Sequence, residues 1–260
     1  MTAPEVLPSW DRPLPYVGDP TLAYVICAVP RAGSTMLAEA LRCTGQLGAP
    51  TEYLNRSVVA TPLRARWRCR TWHEYFRSLF CYRTTGNGVF GFKTHWNDLV
   101  DLAADVTGTC DPDVHDVRRT IENLVPGLRY LRIVRVNQDR SAVSWWIANH
   151  TGEWRRILDQ RADSGTRPQY DRRALDAAAA HLDALTTGWD AFFHAGRIQP
   201  VTVTYEELVE NHAGTVAAVA AALGVAIDPT TVPLPLTARQ GDEFTEEILV
   251  RWSADRTTDA

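Results

Sequence analysis

The sequence predicts an α/β fold, a mostly parallel sheet with helices on both faces. Three observations predict it. Short runs at 22–29, 89–94, 130–134 and 200–205 read as strands. The first is apolar at nearly every position, as in a central strand covered on both faces. Stretches with apolar residues at three- and four-residue steps lie between the runs, so strand and helix alternate. In such sheets ligands sit beyond the carboxyl ends of the strands.

The elements follow in order. Residues 1–20 read as an irregular leader, punctuated by Pro4, Pro8, Pro13, Pro15 and Pro20. Residues 21–260 read as a single domain, since 260 residues with 45% hydrophobic content fill one substantial core. The first strand is Leu22–Val29, and Pro30 stops it. A helix runs from Ser34 to Thr44, with Met36, Leu37, Ala40 and Leu41 on one side and Gly45 as its C-cap. Arg64 to Tyr82 reads as helical and partly exposed. Val89–Thr94 is a strand, Val117–Val125 a helix, and Tyr130–Val134 a strand. Ser141 to Leu158 is helical and unusually aromatic. Ala174–Phe193 is a long helix, Pro200–Tyr205 a strand, and Thr215–Leu223 a helix closed by Gly224. In the tail, Phe244, Ile248, Leu249 and Trp252 have helical spacing. They suggest a last helix over the site or over a subunit neighbour.

Composition narrows the function classes. The net charge of -4 argues against a general nucleic-acid binder, although one basic pocket can still hold a small anion. No run reaches the roughly 18–20 apolar residues of a membrane span, and no signal-peptide pattern opens the chain. Cys27, Cys43, Cys69, Cys81 and Cys110 are scattered, with no C-x-x-C pair. Neither a zinc site nor a redox pair is suggested, and the expectation is a cytoplasmic protein with free thiols.

The chemistry concentrates at Val29-Pro30-Arg31-Ala32-Gly33-Ser34-Thr35, between the first strand and the first helix. Gly33 allows a tight turn and close approach to a ligand. Ser34 and Thr35 open a helix whose free N–H groups favour an anion. Arg31 adds a fork suited to phosphate or sulfate oxygens. The loop is not the triphosphate motif G-x-x-x-x-G-K-S/T, because it has no lysine and no first glycine. A lone 5′-phosphate suits it better. The plain alternative is a turn in which Ser34 caps the helix.

Residues 30–37, P-R-A-G-S-T-M-L, resemble the 5′-phosphosulfate loop of sulfotransferases that use 3′-phosphoadenosine-5′-phosphosulfate (PAPS). Four more segments agree in order: Gly48 to Tyr53, Gly91 to Asn97, Arg135 to Trp145, and Arg239 to Glu243. Together they resemble the bacterial, trehalose 2-sulfotransferase-like branch over about residues 22–252. The resemblance implies a P-loop-like α/β domain, PAPS as donor, no metal, and a small hydroxyl acceptor that contains sugar. It also points to a homodimer. The chain departs from the branch at Asn137, where an acidic residue is expected and Asp139 is a substitute. The stretches 56–85 and 146–172, which should shape the acceptor pocket, match loosely.

The resemblance also suggests roles. Glu52 is the favoured general base, with Tyr53 expected to lift its pKa by partial desolvation. His95 is the rival, since Lys93-Thr94-His95 also resembles the K-T-H segment of animal cytosolic sulfotransferases. Arg31, with the backbone of Ala32, Gly33, Ser34 and Thr35, is expected on the 5′-phosphosulfate, and Lys93 on the sulfuryl oxygens. Arg135 and Ser144 are expected on the 3′-phosphate, with Arg239 a third candidate. Tyr205 is expected near the adenine or as the opening of a helix. Trp72, Trp145, Trp146 and Trp154 are either sugar platforms or core, with Asn97 and His150 as polar companions. Two other readings remain: a P-loop nucleotide kinase, and a non-catalytic nucleotide-binding protein. Within the sulfotransferases, a non-carbohydrate natural product is the alternative acceptor.

Overall fold

Four strands form one parallel sheet in the order β2-β1-β3-β4. They are β1 (Leu22–Ala28), β2 (Val89–His95), β3 (Arg129–Val134) and β4 (Val201–Thr204). The computed structural model describes residues 13–154, 167–235 and 243–258. Helices α1 (Ser34–Cys43), α2 (Thr61–Arg66), α3 (Trp72–Arg83), α4 (Trp96–Thr107) and α5 (Val114–Leu124) come first. They are followed by α6 (Gln138–Thr151), α7 (Arg172–Gly196), α8 (Tyr205–Glu210), α9 (His212–Ala222) and α10 (Glu243–Thr258). A π-helical turn, Arg56–Ala60, precedes α2.

The alternation of β1 builds two cores. Ala23, Val25 and Cys27 face Phe90, Phe92 and Tyr130, and α3, α4, α5 and α7 cover that side. Tyr24, Ile26 and Ala28 face Leu131, Ile133 and Val203 under α1 and α9. Every residue from Ala23 to Ala28 is buried, which is why the run is apolar without a break. A third cluster joins α6, α7 and α10 through Val143, Trp146, Leu182, Ile248 and Trp252. Burying one large apolar side chain contributes about 1.5–3 kcal/mol, so these few contacts are enough to dock the final helix.

The register places the strand ends together. Ala28 pairs with His95, and Val134 with Thr204. From β1 the chain crosses to β2 on one side, whereas β3 lies on the other. The connections that leave β1 and β3 therefore diverge and open a crevice at their carboxyl ends.

Several boundaries differ from expectation, each for a local reason. The helix expected over 64–82 is two helices, split near Arg68 (φ 55°), and Thr71 and Glu74 form a capping box that starts α3. The strand expected to include Tyr205 stops at Thr204, whose side chain caps α8 with Glu207. Helix α6 ends at Thr151, because Gly152 takes the left-handed conformation. Asp113 and Asp116 start α5 earlier than Val117. Helix α4 was not expected: no Gly or Pro separates it from β2, and His95 ends the strand and caps the helix. Residues 13–20 are tied to the end of α3, Leu14 N–H donating to Tyr82 O at 2.8 Å and Tyr16 N–H to Cys81 O at 2.9 Å. Among the described residues no helix is long and apolar enough to cross a membrane.

Candidate active site

The loop after β1 makes a tight cradle. Gly33 has φ 88° and precedes α1 as its N-cap, with no side chain capping the helix. A Cβ on Gly33 would lie 2.5 Å from Tyr205 Cδ2, so the Tyr205 ring closes one wall of the turn. Ser34 does not cap α1. Its hydroxyl faces Lys93 Nζ at 3.3 Å, and Thr35 Oγ1 accepts from the same ammonium at 2.9 Å. The first turn of α1 has no side-chain cap and follows the carboxyl end of β1, a place that favours an anion. Ala32 is fully buried beneath this turn.

Lys93 ties the loop to a carboxylate. Its Nζ lies 2.7 Å from Glu52 Oε1, and His95 Nε2 lies 3.3 Å from the same oxygen. The position of Glu52 follows from the segment that carries it. Gly48 runs so close to β2 that a Cβ would fall 2.7 Å from Gly91 N, and Lys93 N–H donates to Thr51 O at 2.9 Å. Residues 48–51 therefore hug the edge strand β2 and deliver Glu52 beside the outgoing Lys93 and His95.

Electrostatics at Glu52 reverse the expectation. Burial works to raise its carboxyl, but the Lys93 ammonium and the His95 imidazole outweigh burial and hold it well below the usual carboxylate range. Tyr53 itself is fully buried, stacks on Phe90, and gives its hydroxyl to the Ala49 carbonyl. His95 Nδ1 meets Ala28 O at 3.1 Å, and Trp189 Nε1 donates to the same carbonyl at 3.0 Å. Both ring nitrogens of His95 thus face oxygens. Asp98, in the first turn of α4, is the next carboxyl. Burial pushes it up, His95 opposes, and Glu52 adds to the rise.

A second cluster gathers on the other side of the loop. Arg31 (φ 67°) turns its guanidinium away from the loop, donating from Nε to Ser144 Oγ at 2.9 Å and from Nη1 to Trp154 O at 2.6 Å. Arg135 lies over the Tyr205 ring at 4.6 Å and reaches Arg31 O at 3.4 Å. Ser144 was expected beside Arg135, and its hydroxyl meets Arg31. Burial first, then Arg135, pushes the Arg31 guanidinium down to about 10, so it stays charged at neutral pH. The cluster holds two guanidinium groups, of which Arg31 meets the Ser144 hydroxyl, and Glu153 acts on Arg31 in the opposite sense to Arg135.

The remaining candidates divide. Arg239 lies outside the described residues. Trp72 and Trp146 are buried in the cores and offer no face to a ligand. Trp145 is half-buried and stacks on His181, 5.1 Å between centroids, while Trp154 is half exposed beside Arg31. Asn97 is exposed next to His95, and His150 Nδ1 lies 2.8 Å from Trp146 O. Asn137 caps α6, and Asp139 pairs with Arg256 of α10 at 3.1 Å. The sequence reading missed Asn55, Asp98 and Trp189. Asn55 and Asp98 stood in plain view, three residues from Glu52 and from His95, a helical spacing that could have flagged both. Trp189 reaches the site from 161 residues away, with no local signal.

The chain is 29% identical to a trehalose 2-sulfotransferase of Mycolicibacterium smegmatis, over 94% of this chain and 98% of that protein. It is 27% identical to a trehalose 2-sulfotransferase of Mycobacterium tuberculosis, over 89% of this chain and 94% of that protein. Among solved structures, the sulfotransferase domain of a Synechococcus olefin synthase matches with a TM-score of 0.48 and 16% identity, over 92% of this chain and 90% of that one. The profile of the Stf0 sulphotransferases matches residues 23–255, from the start of β1 into α10, and the chain belongs to that family.

Proposed function

We propose that the protein transfers the sulfuryl group of PAPS to a hydroxyl of a carbohydrate or a carbohydrate-containing small molecule, with Glu52 as general base. One observation carries the reading. Lys93 bridges the two hydroxyls of a helix start to a half-buried carboxylate, at 2.7–3.3 Å. A cradle for a 5′-phosphosulfate and a proton acceptor are thereby joined through one cation. The residues suit the donor: the left-handed turn at Gly33 leads into a helix start with no side-chain cap, and Arg31, Arg135 and Ser144 offer cations and a hydroxyl for a second phosphate. The sugar acceptor is supported by the two trehalose-sulfating relatives.

In the reaction, a sulfur–oxygen bond forms to the acceptor hydroxyl while the bond to the 5′-phosphate breaks. Positioning and charge stabilisation do most of the work in such transfers. Glu52 is ionised at neutral pH and takes the hydroxyl proton. That proton neutralises the partner of Lys93. The ammonium is then freer to hold negative charge on the sulfuryl and bridging oxygens beside Ser34 and Thr35. Arg31 reaches from the phosphosulfate loop toward Ser144, and Arg135 with Ser144 grips the 3′-phosphate. The Tyr205 ring, wedged between Gly33 and Arg135, walls the nucleotide side.

The test is sulfate transfer from PAPS to a panel of glucose, trehalose and other disaccharides, followed by release of adenosine 3′,5′-bisphosphate. Glu52→Gln should lower turnover by about 100-fold or more and leave bisphosphate affinity nearly unchanged. Near-normal turnover in Glu52→Gln, with turnover lost in His95→Ala, would move the base to His95.

A further inference from the structure

The two oxygens of Glu52 are held unequally. Oε1 receives Lys93 Nζ at 2.7 Å and His95 Nε2 at 3.3 Å. Among the described residues, Oε2 carries one long contact, from Asn55 Nδ2 at 3.4 Å. Oε1 is the crowded oxygen, facing both Lys93 and His95. Oε2 retains a lone pair for an incoming proton.

Asn55 is held by the backbone that follows it. Its carbonyl accepts from Val59 N–H at 3.0 Å and from Ala60 N–H at 2.8 Å, which opens the π-helical turn Arg56–Ala60. Its side-chain Oδ1 accepts from Val58 N–H at 3.2 Å and from Ser57 Oγ at 3.0 Å. Those two donors fix which end of the amide is oxygen, so Nδ2 must point at Glu52. The turn is braced in its own right. Arg56 pairs with Asp105 at 2.9 Å and donates to Asp101 O at 2.7 Å, both on α4. Single π turns inside helical segments concentrate at functional sites, and here the turn sets the aim of one amide.

We infer that Asn55 is a positioning residue: it fixes the rotation of the Glu52 carboxylate so that Oε2, not Oε1, is offered to the acceptor hydroxyl. The inference rests on the reading of Glu52 as the base. The long Asn55 contact leaves Oε2 open to a further proton donor and gives that oxygen a fixed polar neighbour. It also favours the ionised carboxyl, because a donor on a carboxylate opposes protonation.

Two substitutions separate this role from simple capping. Asn55→Ser keeps a good capping oxygen but is too short to donate to Glu52. Asn55→Asp keeps the cap and the shape and replaces the donor with a second carboxylate. The first readout is the carbon-13 carboxyl spectrum of the full chain, with the Glu52 resonance assigned by its loss in Glu52→Gln. That resonance should move in both Asn55 variants. The second readout is the pH profile of kcat with PAPS and the sugar acceptor. We expect kcat to fall about 10-fold in Asn55→Ser, the scale of a modest misplacement, with KM for PAPS changed less than about two-fold. The acid limb should move to higher pH, and further in Asn55→Asp, because a carboxyl without its donor holds its proton more tightly. A Glu52 resonance unmoved in both variants overturns the inference. So do an unchanged kcat and acid limb in both variants while Glu52→Gln is inactive. If Glu52→Gln keeps normal turnover while the resonance still moves in the Asn55 variants, the base assignment fails and the positioning contact stands.

Discussion

The Arg31–Arg135 pair and the Lys93–Glu52–His95 triad both border the loop after β1, yet their charge is balanced differently. The first brings two guanidinium groups together beside a hydroxyl, a ring and backbone carbonyls; burial first, then Arg135, pushes Arg31 down to about 10, and Glu153 opposes the shift. The second sets an ammonium and an imidazole against one carboxylate, which is held below its usual range. Two adjacent guanidinium groups suit an anionic ligand, whereas a carboxylate that faces Lys93 and His95 is ionised and able to accept a proton. On the proposed function, the first cluster would hold the donor and the second would carry the chemistry. The two meet at Ser34 and Thr35, where Lys93 reaches the loop.

The largest expected effect tests the cationic side. Arg135→Ala should weaken adenosine 3′,5′-bisphosphate by about 2–5 kcal/mol, the scale for removing one partner of a buried charge contact. Adenosine 5′-monophosphate should lose far less, because it lacks the phosphate that Arg135 and Ser144 would grip. Calorimetric titration of both ligands reads the difference. Equal losses for the two would break the division, since Arg135 would then be supporting the loop and not reading the second phosphate.

A smaller effect asks how far the two clusters are independent. Gly33→Ala places a methyl 2.5 Å from Tyr205 Cδ2 at a residue with φ 88°. The left-handed backbone alone costs an L-residue about 1–2 kcal/mol, which for a chain of this size lowers Tm by about 2–4 °C per kcal/mol. The displaced ring carries Arg135 with it, so bisphosphate affinity should fall as well. The Glu52 carboxyl resonance should stay in place, because Tyr205 lies on the far side of the loop. Adding Tyr205→Ala should recover the steric part and not the backbone part. A Glu52 resonance that moves in Gly33→Ala would show the clusters to be one mechanical unit.

The same contrast explains what was legible in the sequence. The cradle is local: one strand, five loop residues and one helix start, so Arg31, Gly33, Ser34 and Thr35 could be read from a single segment. The parallel sheet was legible for a related reason, since strands buried on both faces must be apolar throughout. The triad is assembled from two segments, and its residue types were visible while its electrostatics were not. Tyr53 beside Glu52 suggested desolvation, but the decisive neighbours are Lys93 and His95, more than 40 residues on. Helix α4 hid for want of punctuation, because His95 serves as strand end and helix cap at once. The tryptophans could not be sorted by spacing. Trp145 and Trp146 are neighbours on one helix, and only the packing of α7 and α10 decides which of them is buried.

The smallest expected effect concerns acid stability, and it tests whether the triad is balanced as described. The folded Glu52 carboxyl is depressed, and an unfolded glutamate titrates near 4.3. Its pairing therefore contributes in full above the unfolded value and is lost as pH falls toward the folded one. Below about pH 4 the unfolded chain takes up this proton first, and stability should drop by up to about 1.4 kcal/mol per pH unit. Glu52 is 26% exposed at the side chain, so solvent screens the pair only in part. In Glu52→Gln that slope is missing. Urea denaturation at pH 5, 4 and 3 should thus show wild type ahead at pH 5, with its lead narrowing step by step toward pH 3. Asp98 works in the opposite sense, its carboxyl pushed up first by burial, but it is present in both proteins and largely cancels in the difference. A lead that stays constant from pH 5 to pH 3 would mean that Lys93 and His95 do not neutralise Glu52. The contrast between a cluster of two guanidinium groups and one built around a carboxylate would then fail at its carboxylate end.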